Sequence, residues 1–144
     1  MSEVLSQPSF HLFAVCAAIL VIKMVLTGNA TGLLRVVRGV YITPEDYAMT
    51  GKPAAAPDEQ IERIRRAHQN DLENILPFLA AAFLLCLTGL SYGLAWWLFV
   101  PFTIARVLHT IFYAAELQPW RTIAFEVGNV TLIVTAVVLL ARAL

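Results

Sequence analysis

Residues 92–115 read YGLAWWLFVPFTIARVLHTIFYAA, an apolar run broken toward its carboxyl end by Arg106, His109, Thr110 and Tyr113. It is long enough to cross a bilayer core, which needs about 20 helical residues. The polar residues fall at helical spacing, so they share one face of the helix. Three further apolar runs flank it: Phe10 to Leu26, Ile75 to Leu90 and Thr122 to Ala141. The short second run is extended by Asp58 to Asn74, which is helical in pattern and opens with Asp58 and Glu59 after Pro57. That helix is expected to start in water and enter the membrane near Pro77. The first run has a flank, Met1 to Ser9, with Glu3 and no basic residue, and no small-residue cleavage pattern follows, so it reads as a retained membrane helix.

Composition agrees. Of the 144 residues, 59% are hydrophobic and 14% charged, and the mean hydropathy is +0.72; a soluble domain has about 45–50% apolar and about 25% charged residues. The expected class is an all-α integral membrane four-helix bundle, one domain over residues 1–144, with helices at about 8–37, 58–88, 92–116 and 120–143. Ten basic residues balance ten acidic ones, leaving no global field to attract nucleic acid. Cys16 and Cys86 lie in apolar runs without metal-ligand spacing, so they read as packing residues, with no metal site.

The connections are Gly39 to Pro57, read as a loop containing Gly, Pro and Ala, and two tight turns, Thr88 to Gly93 and Glu116 to Trp120. Arg35, Arg38, Lys52, Arg63, Arg65 and Arg66 gather around the first and Arg121 lies by the third, whereas the second is uncharged. The positive-inside rule therefore puts the first and third on the cytoplasmic side and the termini opposite. Trp96 and Trp97 read as an aromatic anchor at the far interface.

Ionisable residues within such helices are costly, so each needs a reason. Arg66, Asn70 and Glu73 fall at i, i+4 and i+7, matching the stripe of Arg106, His109, Thr110 and Tyr113; Arg121 and Thr122 open the last helix. Two readings stay open. One is a ligand cavity at the cytoplasmic end. The other is an interhelical network in which Glu73 or Glu126 compensates Arg106 and nothing binds. Glu126 and Asn129 read as packing groups, His11 as a rim residue, and Lys23 as a snorkelling or interhelical cation. In the cavity reading, Arg66, Arg106 and Arg121, with Arg35 and Arg38 nearby, outnumber Asp71 and Glu73 and favour a small anion with carboxylates. Glu73 is left to hold an ammonium, which with His68, Asn70, His109 and Tyr113 suits a zwitterionic peptide.

The run Glu62 to Phe78, ERIRRAHQNDLENILPF, resembles the second-helix signature of the membrane-associated proteins in eicosanoid and glutathione metabolism, the MAPEG family. Val21 to Met24, Pro44-Glu45-Asp46, Arg106 to Thr110 with Tyr113, and Pro119 to Thr122 occur in that family's order. The pattern is most similar to the family's glutathione-transferring and prostaglandin-isomerising branches. It is less similar to the leukotriene-forming and non-catalytic ones.

The resemblance implies a homotrimer binding glutathione at each subunit interface and a lipophilic electrophile arriving from the bilayer lipid. Carried over residue by residue, Arg66, Asn70, Glu73, His109, Tyr113, Arg121 and Thr122 contact glutathione from one subunit, and Arg35 and His68 from its neighbour. Asp46 matches an acid near the catalytic arginine. Gln69, Thr122 and Phe125 depart from the basic residue, serine and tyrosine of the prostaglandin-isomerising branch, although Thr122 keeps a hydroxyl. Arg121 is then the expected thiolate stabiliser and Thr122 a donor to sulfur, in a transferase with isomerase or peroxidase activity as variants. Rival expectations are a non-catalytic lipid-binding scaffold of the same fold and, less consistent with the neighbouring arginines, a haem protein ligated by His68 and His109. The membrane is either the endoplasmic reticulum or a bacterial inner membrane.

Overall fold

The computed structural model describes residues 2–51 and 56–144; Lys52, counted above among the cations of the first connection, lies outside them. The described residues form helices α1 (Ser2–Leu5), α2 (Pro8–Arg38), α3 (Pro44–Thr50), α4 (Glu59–Leu87), α5 (Tyr92–Ala114) and α6 (Trp120–Ala143). Four of them, α2, α4, α5 and α6, are long and apolar enough to cross a membrane.

Local chemistry sets the ends. Pro8 opens α2, where its missing N–H costs nothing. Gly39 closes it at φ 64°, a left-handed conformation that favours glycine, and Val40 N–H bonds to the Arg35 carbonyl at 2.9 Å. Asp58 caps α4 by accepting from the N–H groups of Gln60 and Ile61, each at 3.0 Å. The connection read from the sequence as a loop contains α3. Its signals are ordinary ones: Thr43 as cap, Pro44 in the first turn, then Glu45 and Asp46 near the positive end of the helix. The Tyr47 hydroxyl ties α3 back to the Tyr41 carbonyl at 3.0 Å.

Helix α2 packs on α4 and α5, and α6 packs on α5 and α4, so α4 and α5 form the centre of the bundle. Cys16 and Leu20 meet Ile75, Phe78, Ala82, Leu85, Cys86, Leu98, Phe99 and Phe102 in the core, where Phe78 stacks on Phe102 at 3.7 Å between ring centres. Both cysteines are free and buried there. The outward faces carry large exposed apolar side chains, among them Ile22, Val25, Leu26, Val130, Val137 and Leu140. In water such a surface would be an aggregation hazard; against acyl chains it is ordinary.

Contacts at the two ends fix the antiparallel order. Arg38 at the end of α2 donates to both Asp58 oxygens at 2.7 and 2.8 Å, and Arg63 of α4 pairs with Glu116 in the α5–α6 turn at 3.2 Å. At the opposite end Arg142 donates to the Thr88 carbonyl at 3.3 Å. The first and third connections, and with them Arg35, Arg66, Arg121 and Tyr113, therefore lie at one end of the bundle.

Candidate functional site

Helix α4 carries most of the polar residues, and its buried positions Ala67, Asp71, Ile75, Phe78 and Ala82 follow a single helical stripe. Asp71 stands in that stripe among apolar neighbours and is fully buried. Lys23 of α2 reaches it as an ion pair, its side chain only 11% exposed, and Thr110 Oγ1 of α5 donates to Asp71 Oδ2 at 3.5 Å. Lys23 is thus an interhelical cation.

The next residue back along α4 holds a second cation. Arg106 of α5 is fully buried, and its Nη2 donates to Asn70 Oδ1 and, at 3.3 Å, to the Asn70 main-chain oxygen. This corrects one expectation: Arg106 is not compensated by Glu73 or Glu126. Both acids are exposed, and Glu73 accepts instead from Gln69 Nε2 at 3.1 Å. The physical reason is rotation about the helix axis. The Asn70–Asp71 side of α4 turns inward and leaves Arg66, Gln69 and Glu73 on its open side.

Helix α6 completes the enclosure. The guanidinium carbon of Arg106 lies 5.7 Å from the centre of the Phe125 ring. Gly128 clears the space beside it, because a Cβ there would stand 3.1 Å from Arg106 Cδ and 3.4 Å from Nη1. Nearer the end of the bundle, buried His109 lies between Tyr113 and Phe125, with ring centres 5.5 and 5.8 Å away. Arg121, in the first turn of α6, places its guanidinium 4.6 Å over the Tyr113 ring. The Gln118 amide joins Arg121 to Thr122, its nitrogen donating to Thr122 Oγ1 at 3.0 Å and its oxygen accepting from Arg121 Nε at 3.0 Å.

The chain therefore brings Asn70, His109, Tyr113, Arg121 and Thr122 to one end of the α4–α5–α6 seam, with Arg66 and Glu73 on the adjoining exposed face of α4. It does not bring the others to that point. His68 packs against Gly28 of α2, where a Cβ would lie 3.4 Å from the imidazole. Arg35 is half-buried near the end of α2 with Nε unpaired. Asp46 lies in α3, where its main chain engages Thr43 and Thr50; among the described residues no hydrogen bond or ion pair joins it to Arg121. Sequence reasoning allowed Lys23 an interhelical role without naming its partner, and it missed the parts played by Asp71 and Gly128. For Asp71 a signal existed, since it occupies a core position of the α4 stripe.

Chemically, the exposed seam offers guanidinium donors, a hydroxyl and the amino end of a helix, an arrangement suited to an anion. The deeper layer holds its own charges in a space from which water is largely excluded.

The fold and this site together define a multi-pass integral membrane protein with a polar, anion-favouring seam at one end of its bundle. Comparison with known proteins makes the assignment specific: the MAPEG family model matches residues 13–141, and the chain belongs to that family. Microsomal glutathione S-transferase 1 of Homo sapiens is 41% identical over 134 residues, covering 89% of this chain and 86% of that protein. The Mus musculus protein of the same name is 43% identical over 122 residues, covering 81% and 79%. Prostaglandin E synthase of Homo sapiens is 35% identical over 130 residues, covering 89% and 86%.

Proposed function

We propose that this chain is a glutathione-dependent membrane transferase that binds glutathione as a substrate and activates its thiol for attack on a lipophilic electrophile reaching it from the bilayer. The observation that carries the reading is Arg121, held over Tyr113 and tied through Gln118 to Thr122 at the amino end of α6. A thiol like that of free cysteine has a pKa of about 8.5, and only its thiolate is a good nucleophile. A fixed guanidinium lowers that pKa by favouring the charged form. Thr122 Oγ1 adds a donor to the sulfur, and His109 and Tyr113 line the same end. Arg66 takes a carboxylate and Glu73 the ammonium. The names of the relatives, glutathione S-transferase and prostaglandin E synthase, support this chemistry.

The exposure of Arg66 and Glu73 in a single subunit supports a second part of the proposal. The functional unit is a homotrimer in which Arg35 and His68 of a neighbouring subunit complete each site. The acid assigned to the catalytic arginine is Asp46, brought to it in the assembled protein. The arginine-rich end faces the cytoplasm and the termini face away, following the positive-inside rule. Isomerase and peroxidase activities are the variants of the same thiolate chemistry to be compared.

The test is a titration of the purified protein in mild detergent with glutathione, reading thiolate absorbance at the ultraviolet edge. Turnover is then assayed with an aryl halide, a lipid hydroperoxide and a prostaglandin endoperoxide. Thiolate formation with turnover of one of these is the expected result. Lipid binding with neither would leave a non-catalytic scaffold as the better description. A monomeric mass in detergent, with glutathione still bound, would refute the interface.

A further inference from the structure

Arg106 holds Asn70 from inside the bundle, with a bond to its side-chain oxygen and a 3.3 Å bond to its main-chain oxygen. A guanidinium has five donors and no acceptor, so only the oxygen of the amide can face it. The Asn70 Nδ2 is directed away from the guanidinium and, among the described residues, has no hydrogen-bond partner. Arg66 and Glu73 stand exposed four residues before and three after it on α4. Arg106 itself is an expensive occupant of the interior. The acid of that layer, Asp71, is already engaged by Lys23 and Thr110, and Arg106 Nε and Nη1 are buried without partners. A methionine would fill the same slot without a buried charge.

We propose that Arg106 is a positioning residue: by holding the Asn70 oxygen it makes Nδ2 the group a ligand meets, so that this point of the site admits a hydrogen-bond acceptor, a carboxylate or amide carbonyl oxygen, and rejects a donor. Gly128 belongs to the same device, because a Cβ there would press on the Arg106 side chain at 3.1 Å. The inference rests on the reading of the seam as a glutathione site and adds the residue that sets the polarity of one of its contacts.

The experiment measures glutathione affinity calorimetrically on the full chain in detergent, with the unfolding midpoint recorded for every variant. Asn70→Ala and Arg106→Met should each weaken binding about tenfold, the weight of one hydrogen bond to a charged group. The double variant should be no weaker than the weaker single one, since Arg106 acts through Asn70. Asn70→Asp keeps the bond to Arg106 but presents an acceptor. It should lose at least about tenfold in affinity without a lower unfolding midpoint. Arg106→Lys retains a donor and should recover most of the binding lost in Arg106→Met. Additive losses in the double variant, or wild-type affinity in Asn70→Asp, overturn the inference while leaving the glutathione reading intact. Should Arg106→Met fail to fold, Asn70→Asp and Arg106→Lys decide the matter alone. Failure of the wild-type protein to bind glutathione overturns both.

Discussion

Arg38 and Lys23 each cross from α2 to an aspartate on or beside α4, yet the two ion pairs have different solvents. The Arg38–Asp58 pair stands at the rim with side chains 38% and 22% exposed, and Asp58 also caps α4. The Lys23–Asp71 pair lies inside the bundle at 11% and 0%. At the rim, water and salt screen the attraction, and neither charge is stranded when the other is removed. In the interior, Lys23 takes the single buried carboxylate described there and Arg106 has only the Asn70 oxygens, so loss of Asp71 leaves positive charge without water or counter-ion. A pair of opposite charges therefore clips one end of a helix in one place and fixes the rotation of α4 in the other.

Asp71→Asn should produce the largest effect on stability, about 3–5 kcal/mol, because it breaks a buried pair by removing one partner. Unfolding in mixed micelles reads it directly. The double variant Lys23→Met/Asp71→Leu, which removes both charges, should recover most of the loss. A wild-type midpoint in Asp71→Asn would mean that the layer is wet and that depth does not separate the two pairs.

Arg121→Leu sharpens the comparison on the functional side, since this cation lies between rim and interior. Loss of one donor to a developing or stabilised anion costs about 10²–10³-fold in turnover. Glutathione affinity should be largely kept, and the thiol pKa in the bound complex should rise toward about 8.5. Thr122→Val should shift both in the same direction by less. An unchanged bound pKa in Arg121→Leu would move the thiolate stabiliser to Tyr113, since Arg106 is fully buried and turned to Asn70.

Arg66→Ala and Glu73→Gln come next, each expected to weaken glutathione binding by about one to two decades through loss of a charge-assisted bond of about 1.5–3 kcal/mol. Fold stability should hardly change, because both side chains are exposed. Binding at wild-type strength in either variant removes that residue from the site.

The smallest effect belongs to the rim. The Arg38 hydrogen bond, and after it the N–H of Ile61, hold the Asp58 carboxyl below the usual carboxylate range. A depressed pKa means that the stabilisation is present at neutral pH and is lost as pH falls through the lowered pKa, below about 3.9. Arg38→Ala should therefore lower the unfolding midpoint slightly at neutral pH, less in high salt, and converge on wild type in strong acid. A difference persisting in acid would assign the effect to packing.

Much of this architecture is written in single helices. The four long apolar helices follow from run length, and the gathering of Arg66, His109, Tyr113 and Arg121 at one end follows from helical spacing and chain direction. Short α3 was also legible, in Thr43-Pro44-Glu45-Asp46, but glycine and proline around it favoured a loop reading. The pairing of charges was not. Whether Arg106 meets Glu73 or Asn70, and whether Lys23 reaches water or Asp71, depends on how far each helix rotates about its own axis. That rotation is set by packing such as Phe78 on Phe102 and by the space that Gly128 leaves for Arg106. Spacing along one helix fixes which residues share a face, whereas only contact between helices decides what that face meets.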